Sequence, residues 1–148
     1  MPIYFKMFSK EEAKKVREEF WINFGKKYKR KWILYDTKIK EIQLKFSFTT
    51  EEAQVSLDIT ATDEVIRAYY YEKMCSLKNI LLTEYFPEAI YEEHYQLPEG
   101  KEISRIYTKL EGVNIYRKTD WPRVEEFLHD QMQLLESFFL EYKDIMDS

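Results

Sequence analysis

The sequence predicts an α+β domain of two layers, a mainly antiparallel sheet covered on one face by helices, in the order α-β-β-β-α-β-β-(β)-α. Three observations predict it. Residues 42–59 alternate apolar and polar side chains on both sides of a short polar turn. Apolar residues recur at helical spacing near the start, in the middle and at the end of the chain. No linker, repeat or low-complexity run divides the 148 residues, so residues 1–148 read as a single domain.

The first helix is announced by "SKEE". Ser9 is placed to accept from the amide of Glu12, and Glu12 to return the bond, as in a capping box. Ala13, Val16, Phe20 and Phe24 then form a stripe with Trp21 beside it, and Gly25 reads as the stop. "KKYKRK", Lys26 to Lys31, sets five cations around Tyr28, and "WILYD" reads as a short strand. In the hairpin that follows, folding about "TTEE" pairs Phe48 with Ala53, Phe46 with Val55, Leu44 with Leu57 and Ile42 with Ile59. Every pair is apolar against apolar. A slip of one residue would turn all of them to the other face, so the register is specified by burial. Gln43, Lys45, Ser47, Gln54, Ser56 and Asp58 then face water or a partner.

"TATDEV" opens the second helix with Thr62 or Asp63 as cap. Val65, Ile66, Tyr69, Tyr70, Met74, Leu77 and Leu81 make its stripe, and it ends before Pro87. "AIYEEHYQ" and "EISRIYTKL" read as a hairpin around "LPEG", with Gly100 late in the turn. That register sets Glu92 opposite Arg105, as a surface ion pair, and His94 opposite Ile103. "VNIY" reads as a sheet extension after Gly112. "TDWP" starts the last helix, with Asp120 near the cap, Pro122 in the first turn and Trp121 as a packed anchor. Val124, Phe127, Leu128, Leu134, Leu135, Phe138, Tyr142 and Ile145 are its apolar positions.

Hydrophobic residues make up 45% of the chain, enough for a sizeable core, and the 34% charged residues mix both signs, unlike a disordered segment. The net charge of −4 disfavours a general affinity for phosphate backbones but leaves room for a local basic patch. The one cysteine, Cys75, reads as a buried free thiol. The start "MPIYFKMFSK" shows no leader pattern, and no apolar run reaches the ~20 residues of a membrane span, so the expectation is a cytoplasmic protein without membrane contact. Aromatic residues make up 17%, with 12 Tyr, 10 Phe and only 3 Gly. A domain this small strains to bury so many rings, which points to self-association, as a homo-oligomer, or to a protein partner.

Asp36, Gln43 and Lys45 outline a metal-dependent nuclease centre, in which carboxylates hold a divalent cation and a lysine steadies developing charge. The position two before the lysine is Gln43, a poor ligand, and Glu41 lies a pleat further along. Asp58, opposite Gln43 and diagonal to Lys45, is the better companion, giving a polar cluster of Gln43, Lys45, Ser56 and Asp58. The plainer reading is a solvated sheet face with a cross-strand Lys45–Asp58 contact. The catalytic candidates are therefore weak: Asp36, Lys45 and Asp58. Lys26, Lys27, Lys29, Arg30 and Lys31 could contact phosphates while Tyr28 stacks on a base, or simply complement the helix C-terminus. His94 and His129 have no neighbouring ligand at zinc spacing, and there is neither a nucleophile elbow nor a glycine-rich phosphate loop. No metal or cofactor is expected.

"FSKEEAKKVREEFWINFG", "ISRIYTKLEGVNIYRKTDWP" and "FLHDQMQLLESFF" resemble a bacterial family known as domain of unknown function 4268, over most of the chain. "EGVNIYRKTDWP" is the most specific segment. The resemblance implies a bacterial setting and an accessory role, since some relatives carry the domain after a nuclease-like module. It supplies no catalytic residues. Three functions follow in order: a non-enzymatic interaction or accessory module that self-associates, a nucleic-acid-binding accessory domain of nuclease or defence systems, and a degenerate metal-dependent nuclease.

Overall fold

The computed structural model describes residues 9–148. The leader reading, made on the first residues, lies largely outside them. Helix α1 (Lys10–Lys27) starts where the capping box predicts: the Glu12 amide donates to Ser9 Oγ at 3.1 Å. Val16, Phe20 and Phe24 are its buried face. Gly25 does not stop it. The helix runs on to Lys27, and Gly25 has open space around its Cα.

Residues 28–41 are a loop, not the strand read in "WILYD". Leu34 and Lys38 adopt φ of 48° and 66°, which break an extended run. The backbone bond from Leu44 N to Leu34 O at 2.9 Å ties the loop to the sheet edge. The buried Thr37 hydroxyl organises its far end, accepting from the Ile39 amide at 3.1 Å and lying 2.7 Å from the Ile42 carbonyl.

Strands β1 (Ile42–Phe48) and β2 (Glu52–Ile59) pair antiparallel in the register that apolar matching predicts, from Ile42 opposite Ile59 to Phe48 opposite Ala53. The Asp63 carboxylate then caps α2 (Glu64–Ser76), accepting from the Val65 and Ile66 amides at 2.8 and 3.1 Å. The second helix is two helices. At Leu77 the amide bonds back to Met74 O at 3.1 Å, three residues away, and the tightened turn starts α3 (Lys78–Glu84) on a new axis. This lets both Leu77 and Leu81 reach the core.

Strands β3 (Ile90–Gln96) and β4 (Glu102–Glu111) form the second hairpin, and the sheet order is β1-β2-β4-β3, antiparallel throughout. Gly100 turns it with φ 95°. A register shift between Glu92 and Tyr95 sets Tyr95, rather than His94, opposite Ile103. "VNIY" adds no strand. Asn114 Oδ1 accepts from the Tyr116 amide at 2.8 Å and Asp120 Oδ2 from the Asn114 amide at 2.9 Å, while the Val113 and Ile115 amides donate to the Glu51 and Thr49 carbonyls of the β1–β2 turn at 3.4 and 3.0 Å. A 3₁₀ turn (Lys118–Asp120) leads into α4 (Trp121–Met146), with Pro122 in its first turn.

The helices gather on the sheet face carrying Leu44, Leu57 and Ile106, in one core with Phe20, Met74 and Leu128. Phe20 meets Phe48 and Trp121 edge to face at 4.8 and 5.3 Å. Each such fully buried ring contributes about 1.5–3 kcal/mol, so this trio anchors α1 and α4 to β1. Several apolar residues predicted to be buried are not. Val65, Ile66 and Tyr69 are 79%, 43% and 51% exposed, because α2 rolls to bury Arg67 and Met74 instead. Leu134 and Ile145 are also exposed, while Met132, Phe139 and Met146 join Leu128 and Phe138 inside. Cys75 is exposed rather than buried, next to Met74 on the outward side of α2.

Candidate functional site

The sheet face turned away from the helices is not the solvated surface that alternation predicts. Ser56 and Asp58 are 1% exposed, Arg105 3% and Gln54 6%. The reason is Arg105, brought opposite Asp58 by the β2–β4 pairing. Its Nε and Nη2 donate to the two Asp58 oxygens at 2.8 Å each, its Nη1 to Gln54 Oε1 at 2.9 Å, and the Tyr95 ring lies 4.3 Å away. Burial opposes the guanidinium charge, but the Asp58 carboxylate outweighs it and holds the Arg105 pKa above its ordinary value. The expected Glu92–Arg105 surface pair is replaced: Glu92 accepts from the Tyr107 hydroxyl. The expected Lys45–Asp58 contact is replaced too, because a bidentate guanidinium fits a carboxylate better than a lysine point charge.

This bears on the nuclease reading. Asp36 pairs with Lys38 at 2.8 Å in the loop, which draws its carboxyl below the usual range, and Asp58 is closed by Arg105. Neither carboxylate is paired with Lys45. Gln43 and Lys45 stand half-exposed on β1, and the buried Ser56 hydroxyl has no hydrogen-bond partner among the described residues. Among those residues no group of three His, Cys, Asp or Glu side chains is gathered to hold a metal. His94 Nδ1 lies 3.0 Å from Glu102, and His129 Nδ1 2.9 Å from Asp130.

The basic run is half tethered. Lys27 Nζ bonds Glu125 at 3.3 Å, Arg30 bonds Glu136, and the same Glu136 accepts from the Ile33 amide at 2.6 Å. Glu125 and Glu136 are 7% and 5% exposed on α4. Tyr28 stacks on His129 with ring centres 4.2 Å apart, and Arg30 lies 3.9 Å over Trp32. Tyr28 is therefore packed inward, while Lys26, Lys29 and Lys31 remain exposed and make no ion pair among the described residues. The tethering carboxylates were missed in the sequence, although their signal was there: an acid at 125 and another at 136 fall on the same helical face as Leu128 and Met132.

Beside this run, the outer edge of β1 borders a depression of about 350 Å³. Trp21, Leu34 and Phe46 give it an apolar lining, and Gln43, Lys45 and Tyr35 stand around it. Tyr35 is 82% exposed. Leu34 carries one of the two left-handed non-glycine conformations among the described residues, a strained backbone of the kind that clusters at working sites. Residues 26–45 hold eight of the 23 Lys and Arg but two of the 27 Asp and Glu, in a chain whose net charge is −4. The sequence reading found Gln43 and Lys45 but missed Trp21, Leu34 and Tyr35, because the depression is closed by a loop taken for a strand.

No helix among the described residues is long and apolar enough to cross a membrane. No curated protein and no solved structure matches the chain. A family model described as Domain of unknown function (DUF4268) matches residues 16–143, from within α1 into α4, and the chain belongs to that family.

Proposed function

We propose that the domain is a non-catalytic accessory module that binds single-stranded nucleic acid at the β1 edge. The observation that carries this reading is Tyr35, an aromatic ring 82% exposed on the rim of an apolar depression, inside the most basic stretch of an acidic chain. Base stacking on an exposed ring with lysines tracking the backbone is how sequence-tolerant single-strand binding is built. Lys29, Lys31 and Lys45 supply the phosphate contacts, and Lys26 extends them. Lys27, Tyr28 and Arg30 hold the segment on α4 rather than touch the ligand, and Gln43 borders the stacking position. Ser56 and Asp58 support the sheet beneath.

The test is fluorescence anisotropy of a labelled oligothymidylate. Binding at low salt that weakens with a log–log slope of about −0.7 per contacted phosphate is expected. Tyr35→Ala should cost about 1–3 kcal/mol of binding, and reversing Lys29, Lys31 and Lys45 to Glu should abolish it. No binding at low salt ends the reading.

A second reading, self-association, rests on a different observation: Val65, Ile66 and Tyr69 form an exposed apolar stripe on the outward face of α2. A two-fold dimer would cover it with its own copy. Sedimentation velocity at micromolar concentration should then show a dimer that Val65→Glu dissociates; a monomer removes this reading.

A further inference from the structure

Strand β4 outruns its partner. Pairing with β3 begins at Ile90 opposite Tyr107, while β4 continues to Glu111. On its other side β4 stays paired with β2 all the way, to Glu52 opposite Glu111. The chain before Ile90 turns away, closing a turn from Ala89 N to Phe86 O at 3.2 Å. No β3 residue therefore pairs with Thr108 to Glu111, where the Arg123 side chain donates to the Glu111 carbonyl at 3.5 Å. Alternate residues of an antiparallel strand aim both backbone groups at the same neighbour, so about two residues here present their N–H and C=O to the gap.

The gap opens on a groove of about 760 Å³, within the size range of ligand sites. Phe86 and Phe127 stand on its banks, Leu110 and Thr108 on its strand side, and Glu88 and Gln131 supply polar groups. Two further observations point to an occupant. Thr108 is 9% exposed, and its hydroxyl has no hydrogen-bond partner among the described residues. A buried hydroxyl without a partner is costly, and this one belongs to a residue that lines the groove. The charge is also one-sided. Lys109 is neutralised by Glu111 at 3.5 Å, while Glu88 makes no ion pair among the described residues.

We propose that this groove takes an extended peptide segment of a partner protein, laid along Thr108–Glu111 as an added strand, with small or apolar side chains turned towards Phe86 and Phe127 and basic ones towards Glu88. Main-chain bonds to the unpaired edge supply affinity, and the alternate side chains supply selectivity. The site is at the opposite edge of the sheet from the β1 depression, and neither depends on the other.

The experiment is an amide-resolved NMR titration of the whole chain with the pentapeptide acetyl-Val-Lys-Thr-Lys-Val-amide. Saturable shifts confined to Phe86, Glu88, Ala89 and residues 108–111 are expected. The analogue with Glu for Lys should bind at least tenfold more weakly, and Glu88→Lys should reverse that preference. Thr108→Val should weaken binding while leaving Tm unchanged or raised, since it removes an unbonded hydroxyl rather than a contact. A peptide with N-methylated central residues should not bind. The proposal is overturned by the absence of groove shifts at millimolar peptide, or by equal binding of the N-methylated peptide, which would make the groove a side-chain pocket. It is equally overturned if the same amides shift on simple dilution, because the occupant would then be a second copy.

Discussion

Arg105 shows how one residue changes the character of a surface. On period-two alternation it belongs to a wet face, yet it is buried against Asp58, Gln54 and Tyr95. Removing one member of such a pair leaves an uncompensated buried charge. Arg105→Met should therefore cost about 3–5 kcal/mol in a urea melt, and adding Asp58→Leu should recover part of the loss. Glu102 offers a second test. The hydrogen bond from His94 is the largest influence holding its carboxyl below the usual value of 4.5, and Arg67 assists. A depressed carboxylate stabilises the fold above its unfolded pKa, and that stabilisation is lost as pH falls through the lower folded value. The wild-type Tm should thus fall more steeply than that of Glu102→Gln as pH is lowered from about 6 to about 3. These partners were not legible in the sequence. Arg105 could be placed in a strand, but its choice of Asp58 over Glu92 depended on which strand became its second neighbour, and sequence proximity favoured the wrong one.

At the scale of elements, local signals held where they were chemical and failed where they were directional. The Ser9 and Asp63 caps form as their side chains dictate. Asp63→Ala should accordingly cost about 1 kcal/mol of stability. Gly25 looked like a stop but sits inside α1 with open space where a Cβ would be. Gly25→Ala should raise stability by about 0.4–1 kcal/mol, measured by denaturant melts; a loss would mean that the glycine serves the turn after all. The stripe of α2 was misread because Val65, Ile66 and Tyr69 share helical spacing with Tyr70 and Met74 but not the same angular centre. Tertiary packing selected the face through Arg67, whose guanidinium bonds Glu102 at 2.7 Å and the Ala61 carbonyl at 3.1 Å.

For the whole molecule, the aromatic surplus has an electrostatic consequence. Burial pushes the Tyr71 phenol up to about 12 and raises those of Tyr91 and Tyr107 further; Tyr70 and Tyr85 are raised as well. A raised phenol favours the neutral form in the fold, so its stabilisation is complete below the unfolded pKa near 10 and is lost as pH rises through the folded values. The Tm should be level up to about pH 9.5 and then fall as these buried phenols ionise. Tyr91→Phe should lessen that fall, at the expense of the bond its hydroxyl donates to the Met74 carbonyl. By itself the sequence determined the α+β class, the β1–β2 register and the starts of α1, α2 and α4, because alternation, apolar matching and helix-start signals act between residues close along the chain. Only the tertiary structure decided that β4 would lie between β2 and β3. That one placement buried Arg105 on Asp58, and it left the far end of β4 with β2 as its one strand neighbour. Neither outcome is written in local pattern, since a strand's own side chains specify which face is buried but not which neighbour stands beside it.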